Sequence, residues 1–189
     1  MFFPLLLNLK NKSVLVIGGG KVALRKTKKL KKYCEDITVF SKVFLPDFLE
    51  IKNIKLKEKK FNKFSDLKNY NLVFAATDNK KLNLEIEKYC KKNKILCNNI
   101  TNRDSDIILP ATVKYSDLQI SVSTSGKGAF LAKKIKEDIK EKYSEEYIKL
   151  LFEIRDKLIK NDQKSKLKDI LKKDYKELID IYEEIDSRD

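Results

Sequence analysis

The chain has no histidine in any of its 189 positions. That absence excludes a histidine general base, a histidine metal ligand and a serine–histidine triad. Proton transfer is left to carboxylates, lysine, tyrosine, hydroxyls or a cofactor. Glycine and proline are scarce, at five and three, so little of the chain reads as flexible linker. The three cysteines, Cys34, Cys90 and Cys97, are odd in number and lack metal-ligand spacing. They read as small core residues of a reduced, cytoplasmic protein. There is no long hydrophobic run. The apolar stretch Met1 to Leu7 is too short to span a membrane and lacks the basic region of a signal peptide. It is expected to pack on the domain core as an arm.

What remains is a soluble composition, 42% hydrophobic and 37% charged, with a net charge of +14. The excess is uneven: residues 1–120 hold 25 basic and 12 acidic side chains, the rest 17 and 16. An acidic small-molecule ligand suits such a field. A lysine-rich composition without a purpose produces it equally well. Nucleic acid is the weakest reading, because the chain has only four arginines and its lysines are scattered.

Hydrophobic patterning divides the chain. Ser13–Ile17 is a continuous apolar run ending at glycine, as in a buried parallel strand. A helix is expected over 21–33, a strand over 37–40, an alternating edge strand over 54–57 and a buried strand over 72–76. A helix over 80–92 and a short strand over 95–97 follow. This alternation implies a parallel sheet with helices on both faces. From residue 106 the pattern changes. Strands are expected over 107–110, 112–114 and 118–123, with Tyr115-Ser116-Asp117 as a hairpin turn. Three helices follow, the third carrying one stripe from Leu167 to Ile185. The expected fold class is α/β, a Rossmann-like domain over 1–105. A small α+β dimerisation segment over 106–142 and a C-terminal helical tail over 143–189 complete it.

Gly18-Gly19-Gly20-Lys21-Val22-Ala23 matches G-x-G-x-x-A, directly after the first strand and opening a helix. Gly18 permits the tight turn, Gly20 leaves room for a diphosphate, and Ala23 lets the helix approach the sheet. The helix start offers free N–H groups to the anion. The acid that would grip a ribose after the second strand is absent, and Ser41-Lys42 stands there. NAD is the expected cofactor, and this motif does not separate it from NADP. After the buried strand, Thr77 can donate to a cofactor, and Asp78 or Asn79 suits the cap of the next helix.

With these residues in view, the chain resembles the precorrin-2 dehydrogenases, including the N-terminal module of siroheme synthase. The resemblance rests on Phe3-Pro4-Leu5, Val16 to Lys26, Phe74 to Asp78, Asn98, Ile108 to Ala111, and Leu118 to Lys127. It implies NAD-dependent oxidation of precorrin-2, an acidic tetrapyrrole, to sirohydrochlorin by a homodimer, without a nucleic-acid or membrane partner. It implies cofactor contacts at Gly20, Lys21 and Val22, at the Lys42-Val43 corner and at Thr77, and Gly18, Gly19 and Ser41 are expected to join them as cofactor-binding residues. The loop Ser123-Thr124-Ser125-Gly126-Lys127 can hold substrate carboxylates. A plain helix cap with a permissive glycine explains the same loop.

One departure matters. Relatives carry an aspartate three positions after the asparagine that corresponds to Asn98, and here Thr101 stands in its place. Threonine is no base at neutral pH unaided. Asp104 and Asp106 become the candidate catalytic carboxylates. No metal site is expected, and iron insertion is expected to be weak or absent. The rival expectation is a non-catalytic dinucleotide or tetrapyrrole carrier that has lost its acid.

Overall fold

The structure is a computed structural model that describes residues 2–102, 104–115 and 118–187. The chain divides into two compact units, Met1–Ile108 and Leu109–Asp189.

The first unit is built on a five-stranded, all-parallel sheet in the order β3-β2-β1-β4-β5. The strands are β1 (Ser13–Ile17), β2 (Asp36–Ser41), β3 (Lys55–Glu58), β4 (Leu72–Ala75) and β5 (Leu96–Asn99). α1 (Lys21–Leu30) joins β1 to β2, and α2 (Lys80–Lys92) joins β4 to β5. Strands buried on both faces explain the unbroken apolar runs of β1 and β4. Alternation sends Leu15, Ile17, Phe40, Val73 and Ala75 to one face, where they pack with Ile86 and Cys90 of α2. The opposite pleat carries Val14, Val16, Val39 and Phe74, and α1 buries Ala23, Leu24, Thr27 and Leu30. All three cysteines are buried and unpaired.

Three expectations need correction in this unit. The N-terminal segment does not pack as an arm, since Phe3 and Leu6 are 82% and 81% exposed. α1 is shorter than expected. Beyond Leu30 the chain tightens into turns, with the Tyr33 N–H bonded to Leu30 O at 2.9 Å. Residues 107–110 form no strand. Residues 105–107 are tied to the edge of β5 largely by side chains. Asn98 Nδ2 donates to Ile107 O at 2.7 Å. Ser105 Oγ accepts from Asn99 N–H at 2.7 Å and donates to Cys97 O at 3.0 Å. Pro110, lacking an N–H, ends any ladder.

The second unit holds an antiparallel pair, β6 (Ala111–Tyr115) and β7 (Leu118–Val122), then α3 (Ala129–Lys142) and α4 (Glu145–Lys160). The turn residues Ser116 and Asp117 lie outside the described residues. The third apolar stripe is two helices, α5 (Leu167–Ile170) and α6 (Tyr175–Asp186), rather than one. Asp174 starts α6 with a capping box: its side chain accepts from Glu177 N–H, and Glu177 accepts from Asp174 N–H. That new start interrupts the stripe. Ile154, Leu158, Ile170 and Leu178 form the helical core. Among the described residues no helix is long and apolar enough to cross a membrane.

Candidate functional site

The carboxyl ends of β1 and β4 flank the point where strand order reverses, and ligands of open α/β sheets bind there. The glycine turn fills this position, and each glycine is there for a different reason. Gly18 has φ +131°, and a Cβ on it would lie 2.2 Å from Ala76 O. It is held by its N–H on Phe40 O at 2.8 Å, while Ala76 N–H donates to Ile17 O at 2.8 Å. A Cβ on Gly19 would lie 2.0 Å from Val43 O and 2.5 Å from Ser41 Oγ. A Cβ on Gly20 would meet nothing within 4 Å.

Open space beyond Gly20 is the cradle that a diphosphate needs. Gly20 is also the N-cap of α1, with no side-chain cap and no acid in the first turn. The first N–H groups of α1, at Lys21 and Val22, therefore keep their donor capacity for an anion. The residues present fit a dinucleotide.

The second corner docks on the turn. Leu45 N–H donates to Gly19 O at 3.0 Å, and Ser41 Oγ donates to Val43 O at 2.6 Å. Ser41, Lys42 and Val43 are thus brought beside the turn, with Lys42 and Val43 exposed. Gly19 is required by this corner, a role that motif reasoning left unassigned.

Thr77 sits at the end of β4 in a different state from the one expected. Its hydroxyl lies 2.7 Å from Asn83 Oδ1, to which it donates, and Thr77 N–H donates to the same oxygen at 3.1 Å. Asn83 Nδ2 returns a bond to Thr77 O at 2.9 Å. Asn83 is fully buried on α2, so a helix residue outside every motif fixes the strand end. The cap of α2 is Asn79, whose Oδ1 accepts from Leu82 N–H at 3.0 Å. Asp78 is exposed and does not cap.

The loop after β5 holds the candidate acids. Asp104 is exposed, with its N–H on Asn102 Oδ1 at 3.0 Å. Asp106 lies at the sheet edge, where its Oδ2 accepts from Cys97 N–H at 3.4 Å. Thr101 is exposed, and its N–H and hydroxyl both donate to Asn99 Oδ1, at 2.9 and 2.8 Å. At the end of β5, Asn98 Oδ1 is buried and has no partner among the described residues. Such an acceptor costs about 1–3 kcal/mol when left unmet.

One cation is perturbed close by. Lys26, one turn into α1, lies 5.4 Å over the Phe74 ring. Burial lowers its pKa to about 8, with Arg25 and Lys29 adding repulsion.

In the second unit, Ser123 to Lys127 form a compact turn before α3. Ser125 N–H donates to Ser123 Oγ, Gly128 N–H to Thr124 Oγ1, and Lys127 N–H to Thr124 O. Ser125 and Gly126 take left-handed φ of +51° and +79°. Gly128, the N-cap of α3, supplies no side chain, so donors remain at the helix start. Ser123, Ser125, Gly126 and Lys127 are exposed.

Comparison with known proteins agrees with this geometry. Residues 5–111 match a family described as putative NAD(P)-binding, and residues 116–142 match the sirohaem biosynthesis protein central family. A precorrin-2 dehydrogenase of Priestia megaterium is 30% identical over 159 residues, covering 81% of this chain and 78% of that one. A siroheme synthase of Psychromonas ingrahamii is 36% identical over 140 residues, 72% of this chain. The chain spans only 29% of the length of that synthase. The solved structure of SirC, a precorrin-2 dehydrogenase, superimposes with a TM-score of 0.79 at 27% identity, over 98% of this chain and all of the other.

Proposed function

Because the chain belongs to the precorrin-2 dehydrogenase family, we propose that it oxidises precorrin-2 to sirohydrochlorin with NAD, within siroheme or cobalamin synthesis. The observation that carries the reading is the match, along 81% of the chain, to a dehydrogenase of similar extent. The open cradle at Gly20 supports it.

When bound, NAD accepts the hydride that the macrocycle gives up. Lys21 and Val22 N–H groups hold the diphosphate, and Gly20 lets it approach. Gly18 and Gly19 hold the turn in shape. The Ser41-Lys42-Val43 corner lies along the adenosine side, and Thr77 closes the β4 end with its hydroxyl oriented by Asn83. Removing two hydrogens from precorrin-2 releases one proton besides the hydride. Asp104 takes it, because Asp106, although exposed as well, has one carboxylate oxygen on the Cys97 N–H. The Ser123-Thr124-Ser125-Gly126-Lys127 turn binds substrate carboxylates through its hydroxyls, the α3 start and Lys127.

The protein acts in the cytoplasm as a homodimer. An apolar groove of about 370 Å³, lined by Leu118, Ile148, Leu151, Phe152, Leu167 and Leu171 among others, supports pairing through the residues after 106. Iron insertion is slow or absent, because the chain has no histidine and Thr101 stands where relatives carry the aspartate. Pure protein mixed with precorrin-2 and NAD should produce NADH absorbance.

A second reading follows from Thr101, whose hydroxyl is spent on Asn99. If the site has lost its acid, the chain binds dinucleotide or tetrapyrrole without turnover. Thr101→Asp separates the two: a large gain in rate indicates a degenerate site, and no gain places the acid at Asp104 or Asp106.

A further inference from the structure

Glu87 lies in the middle of α2 with only 9% of its surface exposed. Its carboxylate meets two side-chain amides. Asn99 Nδ2 donates to Oε2 at 2.8 Å, and Asn102 Nδ2 lies 3.0 Å from both Oε1 and Oε2. A carboxylate only accepts, so it fixes which way each amide faces. Both asparagines must turn NH₂ groups to Glu87 and oxygens toward the loop. Asn99 Oδ1 then receives the N–H and hydroxyl of Thr101, and Asn102 Oδ1 receives the N–H of Asp104.

We infer that Glu87 is the positioning residue of this site: through Asn99 and Asn102 it holds Thr101 and Asp104 in place at the end of β5. The inference rests on the dehydrogenase reading only for its consequence in catalysis. Glu87 does not touch substrate. It acts through the two amides, in the way that buried second-layer groups orient the residues in front of them.

The geometry makes an asymmetric prediction for Glu87→Gln. Glutamine can place its oxygen where Oε2 stands and still accept from Asn99. Its NH₂ then lies 3.0 Å from Asn102 Nδ2, donor against donor. Asn102 must turn over, which points its NH₂ at the Asp104 N–H and removes that bond. Thr101 keeps its bonds to Asn99. Adding Asn102→Asp repairs the arrangement. One Asp oxygen accepts from the glutamine and the other accepts from Asp104. Asn102→Asp alone sets two carboxylates face to face and fails as well.

The test is amide hydrogen exchange by NMR on the full chain, together with steady-state kinetics. E87Q should speed exchange at Asp104 about tenfold or more while Thr101 and β1 to β4 are unchanged. N102D alone should also speed it, and E87Q/N102D should restore protection. In kinetics, E87Q should lower kcat at least fivefold with the Kd of NAD unchanged, and the double variant should recover most of it. Unchanged exchange at Asp104 in E87Q, no recovery in the double variant, or loosened exchange with full kcat each overturns the inference. If the wild-type protein does not turn over precorrin-2, the functional reading fails by itself. The exchange pattern then still decides whether Glu87 holds Asp104.

Discussion

At the end of β1 the chain builds its candidate site from backbone, whereas after β5 it builds one from side chains. The glycine turn contributes N–H groups, a left-handed φ and space, and no side chain of Gly18 to Gly20 takes part. The β5 loop is held by Glu87, Asn99, Asn102 and Ser105, each needed for its own oxygen or amide. A backbone surface tolerates change wherever space is open and fails abruptly where another backbone presses on it. A side-chain surface fails by degrees, according to which partner is lost.

The largest effect should come from adding a methyl group where the backbone is closed. Gly18→Ala and Gly19→Ala place a Cβ 2.2 and 2.0 Å from carbonyl oxygens of Ala76 and Val43. Each should lower unfolding stability by about 3 kcal/mol and abolish NAD binding, as read by denaturant titration and calorimetry. The β5 loop should respond next. Asp104→Asn should cut kcat by about a hundredfold with little change in stability, while Asp106→Asn should cost far less activity. Equal losses would remove the distinction drawn between Asp104 and an acid that accepts from the strand edge.

Gly20→Ala sharpens the comparison from the other side. Its Cβ meets nothing within 4 Å, so stability should stay within about 1 kcal/mol. NAD affinity should nevertheless fall about tenfold, because the methyl group occupies the diphosphate's space.

The smallest effect belongs to Lys26. Its folded pKa of about 8 lies below the ordinary 10.5, so between these values the unfolded chain binds more protons. Stability should therefore rise with pH through that window. Urea titrations at pH 7 and pH 9.5 should show the rise in the wild type and its absence in Lys26→Met, which should be the more stable of the two at pH 7.

The backbone-built end was legible in the sequence. An apolar run stopping at three glycines before a helix has few physical meanings, and β1, the start of α1 and the position of the turn follow from it. The role of Gly19 was not legible, because it depends on Val43 and Ser41 arriving from the next strand. The side-chain-built end was mostly hidden. Glu87 and Asn83 sit on α2 among exposed lysines and acids. Periodicity pointed to Leu82, Ile86 and Tyr89, and nothing local marks a buried polar residue whose partners lie on another element. The strand expected at 107–110 failed for a similar reason, since Asn98 takes the Ile107 carbonyl and Ser105 takes the N–H of Asn99 and the carbonyl of Cys97 on β5. Of the two residues that suited the cap of α2, Asn79 takes the role and Asp78 does not.

Oxidation of precorrin-2 tests the account most directly. Purified protein, precorrin-2 and NAD should give NADH at 340 nm in step with the appearance of sirohydrochlorin, and Gly20→Ala should need more NAD to reach the same rate. Tight binding of NAD and of the tetrapyrrole with no NADH formed, by wild type and by Thr101→Asp alike, would contradict it.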